Sequence, residues 1–157
     1  MKLKNIYIEV EENVIDVTSA GLVFGHLAVK VGEDYYPDEQ WQDFVQVVLC
    51  WWLVAVKELS SFNSIEATLN FMDGPYSMRL QKIEDGKMWK LFFVRTMQNG
   101  PEVLSTALVD PHGFMVAVTK AANRLIRACH RIGIITDDGA QLERELKEMQ
   151  KLLKNIN

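Results

Sequence analysis

Alternation of apolar and polar side chains is clearest between residues 64 and 109. Four segments, SIEATLNFM, YSMRLQKIE, KMWKLFFVRTM and EVLSTALV, are separated by Asp73-Gly74, Asp85-Gly86 and Asn99-Gly100. Such dipeptides suit two-residue hairpin turns, whose central positions favour positive φ. The pattern predicts an antiparallel meander of four strands. Pro75 lacks a ladder donor and makes the first turn the weakest of the three. Turns centred on these dipeptides pair Ala67 with Leu80, Leu69 with Met78, Phe71 with Tyr76, Leu80 with Leu91, Met78 with Phe93, Leu91 with Leu108 and Arg95 with Leu104. One face then collects Ile65, Ala67, Leu69, Phe71, Tyr76, Met78, Leu80, Trp89, Leu91, Phe93, Leu104 and Leu108, a continuity that a one-residue slip would destroy. The opposite face is polar at one edge. Toward the last two strands it carries Met88, Phe92, Val94, Val103, Ala107 and Val109, a patch that lies under another element or forms a contact surface.

Before the meander, IYIEV, VIDV and LVFGHLAVKV read as two or three further strands, with turns at Glu12-Asn13 and Ser19-Ala20-Gly21. After it, Asp110-Pro111 supplies a cap and a first-turn proline, and Met115, Val118, Ala121, Ala122, Leu125, Ile126, Cys129 and Ile132 follow helical spacing up to Gly133. Thr136, Asp137 and Asp138 then start a last helix with the stripe Leu142, Leu146, Met149, Leu153 and Ile156. Between the two groups of strands, Pro37, Asp38 and Glu39 have the look of a helix start. Trp41, Phe44, Val45, Val48, Leu49, Trp52 and Val56 mark one face of that helix, and Val47, Trp51, Val54 and Ala55 make the reverse face apolar as well. A helix apolar all round is buried on both sides. Its uncharged run, Phe44 to Val56, has 13 residues, short of the roughly 20 that span a bilayer. The expectation is a single α+β domain over residues 1–157: an antiparallel meander sheet packed against a buried central helix, with two C-terminal helices alongside.

Composition agrees with an ordinary globular chain, 48% hydrophobic and 24% charged over 157 residues. Cys50 and Cys129 sit inside apolar helical patterns and read as buried free thiols, which favours a reducing, cytoplasmic setting. The N-terminus lacks the apolar stretch and cleavage site of a secretory signal.

Charge changes the picture more. Residues 1–43 hold nine acids against three lysines, whereas the remainder has fourteen basic and twelve acidic residues. An acidic lobe argues against nucleic acid or an anionic membrane as partner and points to a cationic one. Its candidate contact residues are Glu9, Glu11, Glu12, Asp16, Glu33 and Asp34. Catalytic chemistry finds little support. His26, His112 and His130 have no companion ligands at metal-binding spacing. Asp110 beside His112 reads as a helix cap, and Cys129 and His130 are helix neighbours pointing about 100° apart. No catalytic residue, metal site or cofactor is expected. The strongest polar constellation is Lys120, Arg124, Arg127 and Arg131, spaced along one helix face. It reads as a solvated face paired in part with Glu143, Glu145 and Glu148, with anion or nucleic-acid binding as the alternative.

Tyr36-Pro37, Trp41, Asp43-Phe44, Val48-Leu49 and Trp51-Trp52 together resemble a segment of small bacterial immunity proteins of polymorphic and contact-dependent toxin systems. The resemblance covers residues 35–54 and rests on aromatic spacing. It implies a non-enzymatic protein that binds and neutralises a cognate toxin domain, and the acidic lobe would suit a basic toxin such as a nuclease. Two other readings stay open: a small ligand-binding or enzymatic domain with a pocket between sheet and central helix, and a regulatory domain gripping anions through the basic stripe.

Overall fold

A computed structural model of the chain describes residues 2–13, 15–61 and 63–156, the last without its side chain. The strand expected from VIDV begins at Val14, outside the described residues, as does the side chain of Ile156.

The meander forms one antiparallel sheet in sequence order: β6 (Glu66–Asn70), β7 (Tyr76–Ile83), β8 (Met88–Met97) and β9 (Gly100–Val109). Ala67 faces Leu80, Leu69 faces Met78, Leu80 faces Leu91 and Met78 faces Phe93, as the turn chemistry predicts. The second connection is a one-turn 3-10 helix, Glu84–Gly86, centred on the predicted turn, so the register survives. The third connection differs. Met97 pairs with Gly100, which makes Gln98 and Asn99 the turn residues, and the register shifts again between Phe93 and Val94. Only Gly100 takes positive φ here (114°), the arrangement of a turn followed by a glycine bulge rather than of a turn with both central residues left-handed. Leu91 consequently faces Ala107 and Arg95 faces Glu102, not Leu108 and Leu104. Ala107 and Val109 turn inward, while Leu104 is 41% exposed.

The residues before the meander build a second antiparallel sheet around one long strand. β1 (Ile6–Val10), β2 (Asp16–Val17), β4 (Asp34–Tyr36) and β5 (Gln42–Asp43) all pair with β3 (Val23–Val31). On β3, Val23, Leu27, Val29 and Val31 are buried; of the alternate positions Phe24, His26 and Lys30 are half-buried and Ala28 is covered. Leu3 bridges Leu108, and the Lys4 amide donates to the Leu108 carbonyl at 2.8 Å, joining the first segment to the end of β9.

Three helices follow the expected order: α1 (Val45–Ser61), α2 (Pro111–Arg131) and α3 (Asp137–Ile156). Asp110 caps α2 by accepting the Gly113 amide at 2.8 Å, and Gly133 ends it at φ 77°. α1 packs against α2, α3, β3 and β6 and is the central element of the core.

Two expectations about α1 are corrected. The helix starts at Val45, not Pro37; the Tyr36-Pro37 peptide is cis, Asp38 accepts the Gln40 amide, and residues 42–43 are a strand. Tertiary contacts override the local start signal. The Trp41 carbonyl accepts the Leu27 amide at 3.0 Å, and its indole stands edge-on to Tyr76 and Phe71. Nor is the helix buried all round. Val48, Leu49, Trp52, Leu53, Val56 and Leu59 are inaccessible or nearly so, Val47, Val54 and Ala55 are half-buried, and Trp51 is 43% exposed.

Residues 36–43 form the joint between the sheets. Tyr36 is buried among Phe71, Tyr76 and Phe93, and its one hydroxyl hydrogen is shared between the Ser77 and Val94 carbonyls, 2.9 and 2.5 Å away. Burial pushes its phenol up to about 12. Asp43, inaccessible to solvent, accepts the Phe44 amide at 2.7 Å, the Trp41 indole N–H at 3.2 Å and the Asp73 amide at 3.2 Å. One carboxylate thus ties β5, the start of α1 and the β6–β7 turn.

Candidate functional site

The outward side of the β3 sheet carries the most distinctive surface. Cross-strand pairing sets Tyr7 opposite Lys30 and Lys30 opposite Tyr35, with Glu9 one step along β1 on the same face. The Lys30 ammonium lies 5.6 Å from the Tyr35 ring centre. A hydrogen bond between Tyr35 and Glu9, reinforced by the charges of Glu9, Glu39 and Glu33, raises the phenol above its ordinary value. Glu9 also lies 3.4 Å from Nε2 of His26, whose Nδ1 is 3.0 Å from the Trp41 carbonyl. Both ring nitrogens therefore face oxygen acceptors. Glu9, Glu11, His26, Glu39, Gln40 and Gln42 enclose an open depression of about 370 Å³ with no lysine or arginine in its wall.

The six acids read from the sequence are not gathered in one cluster. Glu9 and Glu11 line the depression, and the Glu11 carboxylate accepts the Asn13 amide. Glu33 and Asp34 are exposed at the turn leading to Tyr35. Glu12 is half-buried near the end of α2, and Asp16 is exposed at the start of β2. Sequence reasoning assigns no role to Tyr7 or Tyr35, weighs His26 only as a metal ligand and reads Glu39 as part of a helix start. Alternation in IYIEV and in VFGHLAVKV placed Tyr7, Glu9, His26 and Lys30 on the non-core face, which was the available signal.

The basic stripe on α2 is divided. Arg124 donates to the Ile8 carbonyl at 2.5 Å and stacks its guanidinium 4.9 Å from the Tyr7 ring centre. Arg131 donates to the Glu12 carbonyl at 3.0 Å. These two side chains satisfy backbone acceptors of β1 and the loop after it, while Lys120 and Arg127 are exposed. The acids expected to pair with the stripe have other partners: Glu143 with His130 at 2.5 Å, Glu145 with Lys57 at 3.1 Å and Glu148 with Lys151 at 3.6 Å.

A second concavity lies at the junction of α1, α2 and α3, not between α1 and the sheet, where Trp52, Phe71, Leu69 and Leu80 fill the interface. Gln46, 3% exposed, accepts from the Thr136 hydroxyl at 2.7 Å, and its amide nitrogen is 3.7 Å from the Cys129 sulfur. Thr136 in turn caps α3 by accepting the Gly139 amide at 2.9 Å. Burial pushes both the Cys129 and Cys50 thiols up, away from the thiolate that nucleophilic chemistry needs. Among the described residues no group of three or more histidine, cysteine or acidic side chains could hold a metal ion, and no helix is long and apolar enough to cross a membrane.

No protein-family model, curated protein or solved structure matches the chain.

Proposed function

We propose that this chain is a non-enzymatic binding protein that neutralises a cationic toxin domain, docking it on the outward face of the β3 sheet. The observation that carries the reading is the acidic depression of Glu9, Glu11 and Glu39 beside the exposed ring of Tyr7 and the half-buried ring of Tyr35. Acidic walls raise the rate of encounter with a basic partner and select against acidic ones. Tyrosines beside them supply the large, rigid contact area on which interfaces concentrate their binding energy. Further support comes from Glu33, whose charge acts on Tyr35 together with those of Glu9 and Glu39. The resemblance of residues 35–54 to immunity proteins supports a toxin domain as the class of partner.

The test is growth protection. The gene should lie beside one for a large secreted protein, and a bacterial host expressing that protein's C-terminal domain should survive when the chain is co-expressed. Glu9→Lys with Glu39→Lys should abolish protection while leaving the soluble yield intact. Unprotected growth with the intact chain, or protection indifferent to both substitutions, would remove the proposal.

A further inference from the structure

The α2–α3 junction carries two adjoining hollows that share Ile135, Thr136 and Ala140. The inner one, about 100 Å³, lies over Gln46 and Cys129, with Ile126 and Ile134 in its wall and the His130–Glu143 pair at its rim. The outer one, about 610 Å³ and open, runs between the Ala20–Leu22 turn and the first turn of α3, beside Asp137 and Asp138. Ile135, 94% exposed, stands where they meet, and Ile132 and Val17 are nearly half exposed close by. An isoleucine this accessible buries little apolar surface, and it lines both hollows.

Two observations say what fits. First, the walls hold Asp137 and Asp138 and no lysine or arginine, and Glu143 already has His130 as its partner, so the two aspartates make the site's charge favour a cation. Second, Gln46 presents a buried amide N–H whose acceptor is a thiol sulfur at 3.7 Å, and sulfur is a weak acceptor. A peptide carbonyl entering the inner hollow would offer a better one. A Cβ on Gly139 would come within 2.9 Å of this nitrogen, so the glycine keeps the floor open. The inner volume exceeds the ~10–15 Å³ that one water requires by several-fold and can admit part of a side chain.

We infer that this groove is a second docking site, which takes an extended segment of a protein partner carrying an aliphatic side chain flanked by lysine or arginine. The aliphatic group seats against Ile135 and Ile134, the flanking cations meet Asp137 and Asp138, and a backbone carbonyl accepts from Gln46. The inference rests on the protein-binding reading above for the class of partner alone. Glu9 and Glu11 line the acidic depression, and Ala20, Gly21 and Leu22 line the rim of the groove.

The experiment is amide NMR of the full chain titrated with the capped tripeptide Lys-Leu-Lys and, separately, with Glu-Leu-Glu. The lysine peptide should move the backbone signals of residues 134–140 and the side-chain amide of Gln46 saturably, and the glutamate peptide should not. Asp137→Asn with Asp138→Asn should weaken binding about five-fold, the sum expected of two exposed ion pairs. Ile135→Ser, which removes a side chain already in solvent, should weaken it without altering the fold. Equal response to both peptides, shifts confined to the β3 sheet, or binding indifferent to both variants would overturn the groove. Growth protection separates the two ideas: protection with a silent groove overturns this inference alone, and a responsive groove without protection overturns the toxin reading alone.

Discussion

The two sheets reach stability by different routes. β6 to β9 is a sequential meander whose neighbours are joined by short connections. Each strand of five to ten residues pairs at length with the next. The other sheet hangs three fragments of two or three residues and one of five on a single long strand. Its short strands are too small to hold by ladder bonds alone. They are held by side chains that cross to other elements: Tyr36 to the β7 and β8 carbonyls, Asp43 to the β6–β7 turn, Arg124 to Ile8. The regular sheet and α1 form the scaffold. The irregular sheet, pinned to it, is free to spend its outer face on acids and tyrosines.

The largest effect should come from the scaffold. Trp52 is inaccessible, edge-on to Phe71, and donates its indole N–H to the Asn70 carbonyl at 2.8 Å. Trp52→Ala should cost about 3–5 kcal/mol in urea unfolding. Trp51→Ala, one residue away on the solvent side, should stay within about 1 kcal/mol. Similar losses at both positions would mean that α1 is buried all round after all.

That pair also shows what the sequence can and cannot reveal. Apolar periodicity located α1 and its core face, because Val48, Leu49, Trp52 and Val56 recur at helical spacing. It could not tell Trp51 from Trp52, since exposure depends on where β6 and α3 end. Register in the first three strands was legible because turn residues are local. The β8–β9 slip was not, because it turns on which residue of Gln98-Asn99-Gly100 takes positive φ. The candidate site was half legible. Its acids showed as a charge imbalance, whereas its tyrosines and His26 are brought together only by β3 pairing.

Next in size is the joint. A Cβ on Gly74 would lie 2.7 Å from the Trp41 ring, and the residue sits at φ 74°. Gly74→Ala should therefore cost about 2–4 kcal/mol, combining left-handed strain with a ring that is packed and cannot retreat. Gly21→Ala has the same kind of backbone, φ 81°, with nothing within 4 Å of the added carbon, and should cost only the backbone share, about 1–2 kcal/mol. Near-ultraviolet circular dichroism should change in the first variant and not in the second. If the two cost the same, Trp41 is not a fixed wall.

Asp43 tests the same joint through pH. Burial raises its carboxyl above the ordinary range, against the opposing pull of the Phe44, Trp41 and Asp73 donors. A native value above the unfolded one means that the native state takes up the proton first, so this group's contribution to stability grows as pH falls through the native value. Asp43→Asn should cost about 1–3 kcal/mol near neutrality through imperfect acceptance from three donors. The gap between wild type and variant should widen toward acid, opposite to the trend of a salt-bridged carboxylate. A gap that narrows toward acid would show that hydrogen bonding outweighs burial at this site.

The smallest effect lies on the outer face, where Arg124 stacks on Tyr7 and reaches the Ile8 carbonyl. Tyr7 is 49% exposed, so Tyr7→Ala alone should lose no more than about 1 kcal/mol, the scale of an exposed cation–π contact. Arg124→Ala should lose more, because the carbonyl partner goes as well. The informative quantity is the coupling in the double-mutant cycle, expected at about 0.5–1 kcal/mol. Coupling of that size means that Arg124 is committed to β1, and that the basic stripe of α2 is part of the joint between helix and sheet. Zero coupling would mean that the ring contact adds nothing and that the Ile8 carbonyl alone ties Arg124 to β1.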